Sequence, residues 1–222
     1  MNSGDFVYIE YVGKIKESGE IFDLTRKDVA KKENIYNEEI KYGPVPIIVD
    51  ADFVMTGLNE ALKEMNVGEK KNFEIKPEKA FGERNTELVK LIPEARFKEQ
   101  DMDATPGSFV TINKLKGRIL SVDGGRVKVD FNHPLAGKTL EYEIEIVSKI
   151  EDQTEKVKAL IYYFTSIPKE DLEVKIMEKL AEIEFKKQFN MMREVKEMIA
   201  KNIVKWIKPV EKVKFIDVFG SE

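Results

Sequence analysis

The sequence predicts an α+β fold, and three patterns of side chains support that prediction. Residues 6–15 alternate in polarity and are rich in β-branched and aromatic side chains, which is typical of a β-strand. Leu58, Leu62 and Met65 recur at helical spacing and predict a short amphipathic helix. An Asp-Gly-Gly sequence at 123–125 joins two alternating runs and predicts a β-hairpin.

The other elements predicted for the first part of the chain are strands separated by polar segments. Residues 25–46 are polar and irregular, and the two prolines near their end favour an extended entry into the next strand. An Asn-Val-Gly sequence at 66–68 favours the end of the predicted helix. The further predicted strands are 21–22, 47–49, 70–75 and one that begins at 138 and runs to 146, with a loop at 77–82.

Residues 86–131 have the pattern of a separate unit. Short alternating runs predict strands at 88–92, 109–112, 118–122 and 126–131, the last two on either side of the hairpin turn. The unit is therefore expected to be rich in β-structure.

The composition shifts at 151–153, where a tail begins. It opens with a predicted amphipathic helix at 154–166, and a longer one is predicted at 187–207. Residues 172–185 are ambiguous, since alternating side chains favour strands and others suit a helix; we favour strands. A last strand is predicted at 213–219.

Composition limits the possible functions. The net charge is −4, with 37 basic and 41 acidic residues, so no overall field attracts nucleic acid or anionic lipid. There is no Cys and His133 is the single His, so we expect no thiolate site, no multi-histidine metal site and no cofactor. The sequence has neither a secretory signal pattern nor a long apolar run, and we expect a soluble cytoplasmic protein that does not bind membranes.

Five short blocks occur in a fixed order, and together they resemble the FKBP-type peptidyl-prolyl cis-trans isomerases. Residues 3–150 are similar to the SlyD-like subclass, which carries an insert in its flap. Each block alone is weak, but five in the family's order and near its spacing are specific. The blocks are Glu-Tyr-Val-Gly at 10–13, Gly-Glu-Ile-Phe-Asp at 19–23, the stretch 55–68, Ala-Phe-Gly at 80–82, and 132–146 with its Leu-Ala-Gly-Lys-Thr-Leu core.

The resemblance implies a bent antiparallel sheet around a short helix, with an aromatic pocket between them. It also implies a small β-rich domain inserted in the flap, and a C-terminal α/β extension comparable to that of long archaeal members. The implied domains are an isomerase domain at 1–85 and 132–150, an insert-in-flap chaperone domain at 86–131, and a C-terminal extension at 151–222.

Carried over residue by residue, the resemblance places nine side chains around the pocket. Leu58 replaces the indole of many family members, as it does in the SlyD-like subclass. Phe81 replaces a tyrosine whose hydroxyl donates to a ligand carbonyl; the lost hydrogen bond costs about 1 kcal/mol and predicts weaker binding of macrolide inhibitors. The implied pocket residues are Tyr11, Phe22, Asp23, Val54, Met55, Leu58, Phe81, Leu135 and Tyr142.

The implied activity is rotation about X-Pro bonds without a covalent intermediate. An apolar pocket disfavours the planar, more dipolar amide relative to the twisted transition state. By family analogy the Met55 backbone N–H holds the peptide, while Asp23 acts through orientation and electrostatics. Taken singly, strand aromatics such as Phe22, Phe81 and Tyr142 are more often ordinary core, so the prediction depends on the ordered blocks.

In the SlyD-like subclass the flap insert binds unfolded chains, and eight apolar residues here are candidates for that role. The alternative is that they fill the insert's own core, which we expect of about half of them because so small a unit buries little surface. An exposed strand edge offers a further way to bind an extended client. The eight are Leu88, Val89, Leu91, Ile92, Phe97, Phe109, Val110 and Ile112.

The expected partners are unfolded or partly folded polypeptides that contain proline, and a second copy of the chain bound through the tail. A run of lysines from Lys201 to Lys214 is expected to be a solvated face, with nucleic-acid binding as the minority interpretation. The tail lacks the His and Cys of SlyD-type metal-binding tails, so nickel delivery is not supported. Two rival functions remain: a holdase with a vestigial isomerase pocket, motivated by Phe81, and a dimeric scaffold that recruits a partner.

Overall fold

The computed structural model describes residues 1–51, 53–99 and 102–217. In these residues the strands, in chain order, are β1 Phe6–Ile15, β2 Ile21–Leu24, β3 Val45–Ile48, β4 Lys70–Ile75, β5 Val89–Pro93, β6 Phe109–Ile112, β7 Leu115–Asp123, β8 Arg126–Asp130, β9 Leu140–Ile150, β10 Leu172–Met177, β11 Leu180–Phe185 and β12 Lys212–Asp217. The α-helices are α1 Lys27–Lys32, α2 Thr56–Lys63, α3 Ala95–Lys98, α4 Gln153–Thr165 and α5 Arg193–Trp206.

The described residues form two compact units. The first comprises 1–14, 20–74 and the chain from 141 onward, and the second comprises 15–19 and 75–140. The domain boundaries predicted at 85–86, 131–132 and 150–151 stay predictions. Across the described part of the chain, the helices are all too short or too polar to cross a lipid bilayer.

The first sheet is built on β1, whose two halves pair with different strands. Its strand order is β2-β1-β9-β4, and β3 pairs with the first half of β1, where Phe6 faces Ile48. The second half pairs with β2, where Gly13 faces Asp23. These pairings are antiparallel, and the mixture of antiparallel sheets with a few helices confirms the predicted α+β class.

Helix α2 is short, as its amphipathic pattern predicts. Leu58, Ala61 and Leu62 are buried on one side of the helix, while its opposite side carries polar residues. Helix α1 was not predicted, since residues 25–46 were expected to be irregular. The reason is that α1 buries only Ala30, so its sequence has no apolar periodicity to indicate a helix.

The tail folds as a three-stranded sheet with two helices. The strand order is β10-β11-β12, and β11 and β12 are parallel because α5 makes the crossover between them. The preference for strands over 172–185 is confirmed. One apolar cluster joins Phe6 and Ile48 of the first sheet to Val157 and Leu160 of α4 and Ile183 of β11, so tail and first sheet share a core.

Two predicted element boundaries in the tail are not confirmed: one is wrong, and the other lies outside the described residues. The second long helix begins at Arg193, not at 187, because the chain first leaves β11 as an irregular segment. In that segment Lys186 N donates to Asp171 O, and the Phe189 ring packs on the Phe185 ring with centroids 5.9 Å apart. For the last strand, positions 218 and 219 lie outside the described residues.

The second unit contains a four-stranded antiparallel sheet in the order β5-β8-β7-β6. Its core consists of Ile92, Phe97, Val110, Ile119, Val127 and Val129. The predicted hairpin is confirmed: Gly124 and Gly125 both have positive φ, 53° and 71°, as a tight turn between twisted strands requires. The one-turn helix α3, which contributes Phe97 to the core, was not predicted.

Candidate active site

Tyr11 and Asp23 meet at the junction of β1 and β2. The Tyr11 hydroxyl donates to Asp23 Oδ2 at 2.7 Å. Thr25 fixes the backbone beside them, since its Oγ1 accepts from Tyr11 N at 2.9 Å and its N donates to Tyr11 O at 3.0 Å. Burial, with the nearby Asp23 carboxylate as the next cause, raises the pKa of Tyr11 above its ordinary value. The phenol therefore stays a neutral donor to the carboxylate.

Tyr142 of β9 stands between two other aromatic rings. Its ring centroid lies 5.8 Å from that of Tyr11 and 5.7 Å from that of Phe22, the latter contact being edge-on at 79°. Burial, and next the charge of Asp23, raise the pKa of Tyr142. Gly13 makes the cluster possible, because a Cβ there would lie 2.8 Å from Phe22 Cζ. The three rings form an apolar wall with a carboxylate at its edge.

The start of α2 supplies a second group of predicted residues. Met55 is the N-cap residue of α2, and Leu58 is buried in its first turn. Asn59 holds the preceding loop: its Oδ1 accepts from Asp50 N at 3.0 Å, and its Nδ2 donates to Ala51 O at 3.2 Å. Among the described residues, the Met55 N–H has no hydrogen-bond acceptor, as is normal before the first turn of a helix. It can therefore donate to a ligand without losing a hydrogen bond to a described residue.

Val54 lies in the same loop and is half-buried. Its carbonyl oxygen accepts from Asn59 Nδ2 at 3.4 Å, so the side chain of Asn59 fixes both Val54 and the entry to α2. Asn59 was not among the predicted site residues; its position four residues after Met55 in the third block was the available signal.

Phe81 and Leu135 belong to the second unit, where both contact His133. The Phe81 ring stacks on the imidazole, with centroids 4.3 Å apart and an angle of 3°. Leu135 N donates to His133 Nδ1 at 3.2 Å. Gly137 N donates to Gly82 O at 2.8 Å, so the turns that carry Phe81 and Leu135 are tied together. His133 was not among the predicted site residues, and its stacking on Phe81 has no local signal in the sequence.

The structure thus brings the predicted pocket residues together in three groups. Tyr11, Phe22, Asp23 and Tyr142 are in contact, Val54, Met55 and Leu58 surround the start of α2, and Phe81 and Leu135 flank His133. The pocket as a whole, with all nine residues as its lining, stays a prediction. No side chain in these groups is a nucleophile paired with a base, so the arrangement suits non-covalent binding of an apolar group.

The eight predicted client-binding residues divide by exposure. Ile92, Phe97 and Val110 are buried in the core of the second unit, and Ile112 packs partly buried against it. Val89 is half-buried. The residues left exposed are Leu88 at 40%, Leu91 at 61% and Phe109 at 54%.

Two further exposed apolar side chains in β7 were missed by the sequence analysis. Leu115 is 60% exposed and Leu120 is 38% exposed. Leu120 lies at the irregularity in the β7–β8 pairing between Ile119 and Ser121, where simple alternation fails. The alternation rule could not have identified it.

Two family models match separate parts of the chain. The model described as "FKBP26, IF domain" matches residues 90–135, and "FKBP26_C-terminal" matches residues 153–220. Both models take their names from an FKBP protein, and together they include the hairpin of the second unit and most of the tail.

Individual relatives match longer stretches of the chain than either family model does. The chain is 34% identical over 146 residues to a short-type peptidyl-prolyl cis-trans isomerase of Methanocaldococcus jannaschii, covering 66% of this chain and 92% of the relative. It is 26% identical over 129 residues to the FKBP-type isomerase SlyD of Helicobacter pylori, covering 57% and 70%. A crystal structure of the three FKBP domains of wheat FKBP73 aligns at 19% identity and a TM-score of 0.35 over 68% of this chain and 40% of the other.

The archaeal relative decides the assignment, because its similarity exceeds 30% identity and extends over nearly its full length. The matches to the FKBP26 models and to SlyD agree with it. The chain belongs to the FKBP-type family of peptidyl-prolyl cis-trans isomerases.

Proposed function

We propose that this chain accelerates cis-trans isomerisation of X-Pro bonds in unfolded or folding proteins, and that its second unit binds these clients. The observation that carries the proposal is the aromatic cluster of Tyr11, Phe22 and Tyr142, with Asp23 held at its edge by the Tyr11 hydroxyl. This cluster offers a rigid apolar wall to a proline ring and one fixed charge beside it.

The chemistry requires positioning and desolvation but no covalent bond. Amide resonance opposes rotation with a barrier of about 18–20 kcal/mol. Water stabilises the planar, more dipolar amide more than it stabilises the twisted amide. An apolar wall removes this hydration, so the planar ground state is destabilised more than the twisted transition state and the barrier falls. An acceleration of about 10⁴–10⁶-fold corresponds to roughly 5–8 kcal/mol. The Met55 N–H would hold the peptide backbone while Asp23 orients the rotating amide.

Client binding is proposed for the exposed face of the four-stranded sheet. Leu91 on β5 and Phe109 on β6 are more than half exposed, and β5 and β6 are the two end strands in the pairing order. Lys116 lies 4.8 Å above the Phe109 ring, and Arg118 pairs opposite Phe109 in the ladder. An extended client with apolar and acidic residues would find complementary side chains here, and its backbone could pair with an end strand.

The isomerase proposal is tested with a protease-free tetrapeptide assay on Asp23→Ala. Removal of the carboxylate is expected to lower kcat/KM about ten-fold or more, since it removes a fixed charge from the apolar site. Asp28→Ala is the matched control, because Asp28 is an exposed aspartate on α1 that pairs with Arg26. Equal loss in both variants, or no loss in Asp23→Ala, would refute the role of Asp23.

A second candidate function is a holdase that binds unfolded chains with little isomerase activity. The observation that favours it is Phe81, which offers no hydroxyl and whose ring is stacked on His133. If this function is correct, the wild type and Asp23→Ala both turn over the tetrapeptide at a negligible rate, while both still suppress aggregation of an unfolded protein.

The client-binding proposal is tested by refolding of a proline-limited protein. The double variant Leu91→Ser, Phe109→Ser should slow catalysed refolding while tetrapeptide turnover stays at the wild-type rate. Val67→Ser, which removes a comparably exposed apolar side chain from the first unit, serves as the control. If the double variant leaves the rate of catalysed refolding unchanged, the proposal that the second unit binds clients is wrong.

Self-association through the tail is also proposed. Met177, Met192 and Met198 are exposed on the tail at 50%, 68% and 39%, and β10 and β12 end the three-stranded sheet. Truncation after residue 149 is a poor test, because it would strip the core that α4 shares with Phe6. Light scattering of the full chain and of Met177→Lys, Met192→Lys is the better measurement. A monomeric wild type would refute the dimer.

A further inference from the structure

A cavity of about 350 Å³ opens on the first unit where the loop 41–44 meets α4. It is formed by β1, β9, this loop, α4 and the turn after α4, and it contains none of the predicted pocket residues. Its lining is Tyr8, Lys41, Tyr42, Gly43, Pro44, Val147, Ser148, Lys158, Ala159, Tyr162, Lys169 and Glu170. Its volume falls at the lower end of the range of about 300–1,000 Å³ that small-molecule sites occupy.

The charge in this cavity is positive. Three lysines line it against one carboxylate, that of Glu170. Lys158 is neutralised by Glu155, at 2.9 Å. In the part of the chain that the structure describes, Lys41 and Lys169 have no ion-pair partner, and Lys41 Nζ instead lies 4.7 Å from the centroid of the Tyr162 ring. Two ammonium groups are therefore available to an anion.

The cavity also offers neutral hydroxyl donors. Tyr8 is half-buried, and burial, with Glu155 as the next cause, raises the pKa of its hydroxyl, which stays protonated. Among the described residues neither the Tyr8 nor the Tyr162 hydroxyl has a hydrogen-bond partner. A carboxylate bound between Lys41 and Lys169 would accept from such hydroxyls as well, and charge-assisted hydrogen bonds of this kind are the strong ones.

Most of the remaining lining is apolar, with Ser148 as a further polar residue. Pro44, Val147 and Ala159 contribute aliphatic surface, and Val147 is 40% exposed. The Tyr42 and Tyr162 rings also line the cavity; Tyr42 stacks on Tyr36, and Lys41 Nζ lies over Tyr162. A bare inorganic anion would leave this surface in contact with water, whereas a ligand with an apolar body would cover it.

From these observations we infer that the cavity binds a small organic anion, with a carboxylate attached to an aromatic or other apolar body. The carboxylate sits between the ammonium groups of Lys41 and Lys169, and the body lies against Pro44 and Val147. Such a ligand would join the loop and the strands of the first sheet to the turn after α4. This inference is independent of the proposed isomerase activity, since the cavity shares no side chain with the predicted pocket.

The test is a titration of the ¹⁵N-labelled full chain with phenylacetate, followed by NMR. We expect the Gly43, Val147 and Ser148 amides to shift with a Kd below about 1 mM. Phenylacetamide, the neutral isostere, and inorganic phosphate, which lacks the apolar body, are each expected to bind about ten-fold more weakly. Lys41→Gln and Lys169→Gln should each weaken phenylacetate binding by a similar factor.

Lys205→Gln is the matched control. Lys205 also lies 4.7 Å from an aromatic ring centroid, that of Trp206, but it does not line the cavity. An equal loss of affinity in this control would mean that the lysine substitutions act through the overall charge of the protein, and the proposed site would be wrong. Equal binding of phenylacetamide, no shift at the three amides, or tighter binding of an acidic hexapeptide at the same amides would each overturn the proposed ligand class.

Discussion

Gly13→Ala offers a direct test of the aromatic cluster. An added Cβ would lie 2.8 Å from Phe22 Cζ and 3.1 Å from Tyr142 Cε1, whereas ordinary van der Waals contact begins near 3.4 Å. Tyr142 is only 4% exposed and cannot retreat, but Phe22 is half-buried, so its ring must move outward by about 0.6 Å. The edge contact between Phe22 and Tyr142 is then lost.

The two consequences of this movement differ in size. The overpacking should cost about 1 kcal/mol of unfolding free energy, the low end for a core insertion, because the ring can move toward solvent. A displaced wall of the binding site should lower kcat/KM on a prolyl tetrapeptide by about ten- to a hundred-fold. Urea unfolding and the protease-free assay measure the two quantities on the same sample.

Val174→Ala controls for lost stability, since Val174 is a buried strand residue of the tail whose truncation costs about 1–2 kcal/mol. It should leave tetrapeptide turnover unchanged. If Gly13→Ala keeps the wild-type kcat/KM although it is destabilised, Phe22 and Tyr142 do not form a wall of the catalytic pocket, and the reasoning is wrong.

Three further predictions concern stability and its dependence on pH. Tyr11→Phe removes the donor to Asp23 and should cost about 1–2 kcal/mol of unfolding free energy at neutral pH. Because the folded pKa of Tyr11 is raised, the wild type should lose stability more steeply than the variant above about pH 10, where an unfolded tyrosine ionises. Urea unfolding free energies that fall in parallel for the two proteins would contradict this. The hydrogen bond from Lys71 lowers the pKa of Glu69 to about 2, so the stability that Glu69→Gln lacks at neutral pH should disappear as pH falls from 4.5 toward 2, with the two unfolding midpoints converging. Asn132→Ala removes both hydrogen bonds to the Asn85 backbone, at 2.8 and 2.9 Å, and should speed amide exchange in the four-stranded sheet without changing tetrapeptide turnover; unchanged exchange would count against it.

Local periodicity predicted most of the individual elements. The alternation at Phe109–Ile112 corresponds to a strand with those bounds, and the glycines at 124 and 125 adopt the positive φ that the hairpin needs. The errors occur where periodicity is weak or misleading. Helix α1 buries one residue, and the apolar spacing that extended α5 back to 187 includes Phe189, which packs on the core from an irregular segment.

Motif order indicated candidate site residues, but it could not predict which of them contact one another. Motif order indicated Tyr11, Asp23 and Tyr142, yet their contact depends on the register that sets Gly13 opposite Asp23, next to an irregularity between Gly13 and Lys14. That strand register cannot be read from a single sequence. The partner of Phe81 is a similar case: His133 is a distant residue in the chain, and only the fold brings the two rings into a stack.

The position of β4 beside β9 in the first sheet has a kinetic consequence. Pairing these strands closes a loop of roughly 65 residues, at an entropic cost of about 4 kcal/mol for a flexible chain. The four-stranded sheet lies between β4 and β9 in the sequence. If it forms early, through its local β6–β7 and β7–β8 ladders, much of that loop is already compact and the entropic cost of closing it is lower. Mutations that weaken these ladders should therefore slow the folding of the sheet that contains Tyr11 and Tyr142, although they change no residue of that sheet.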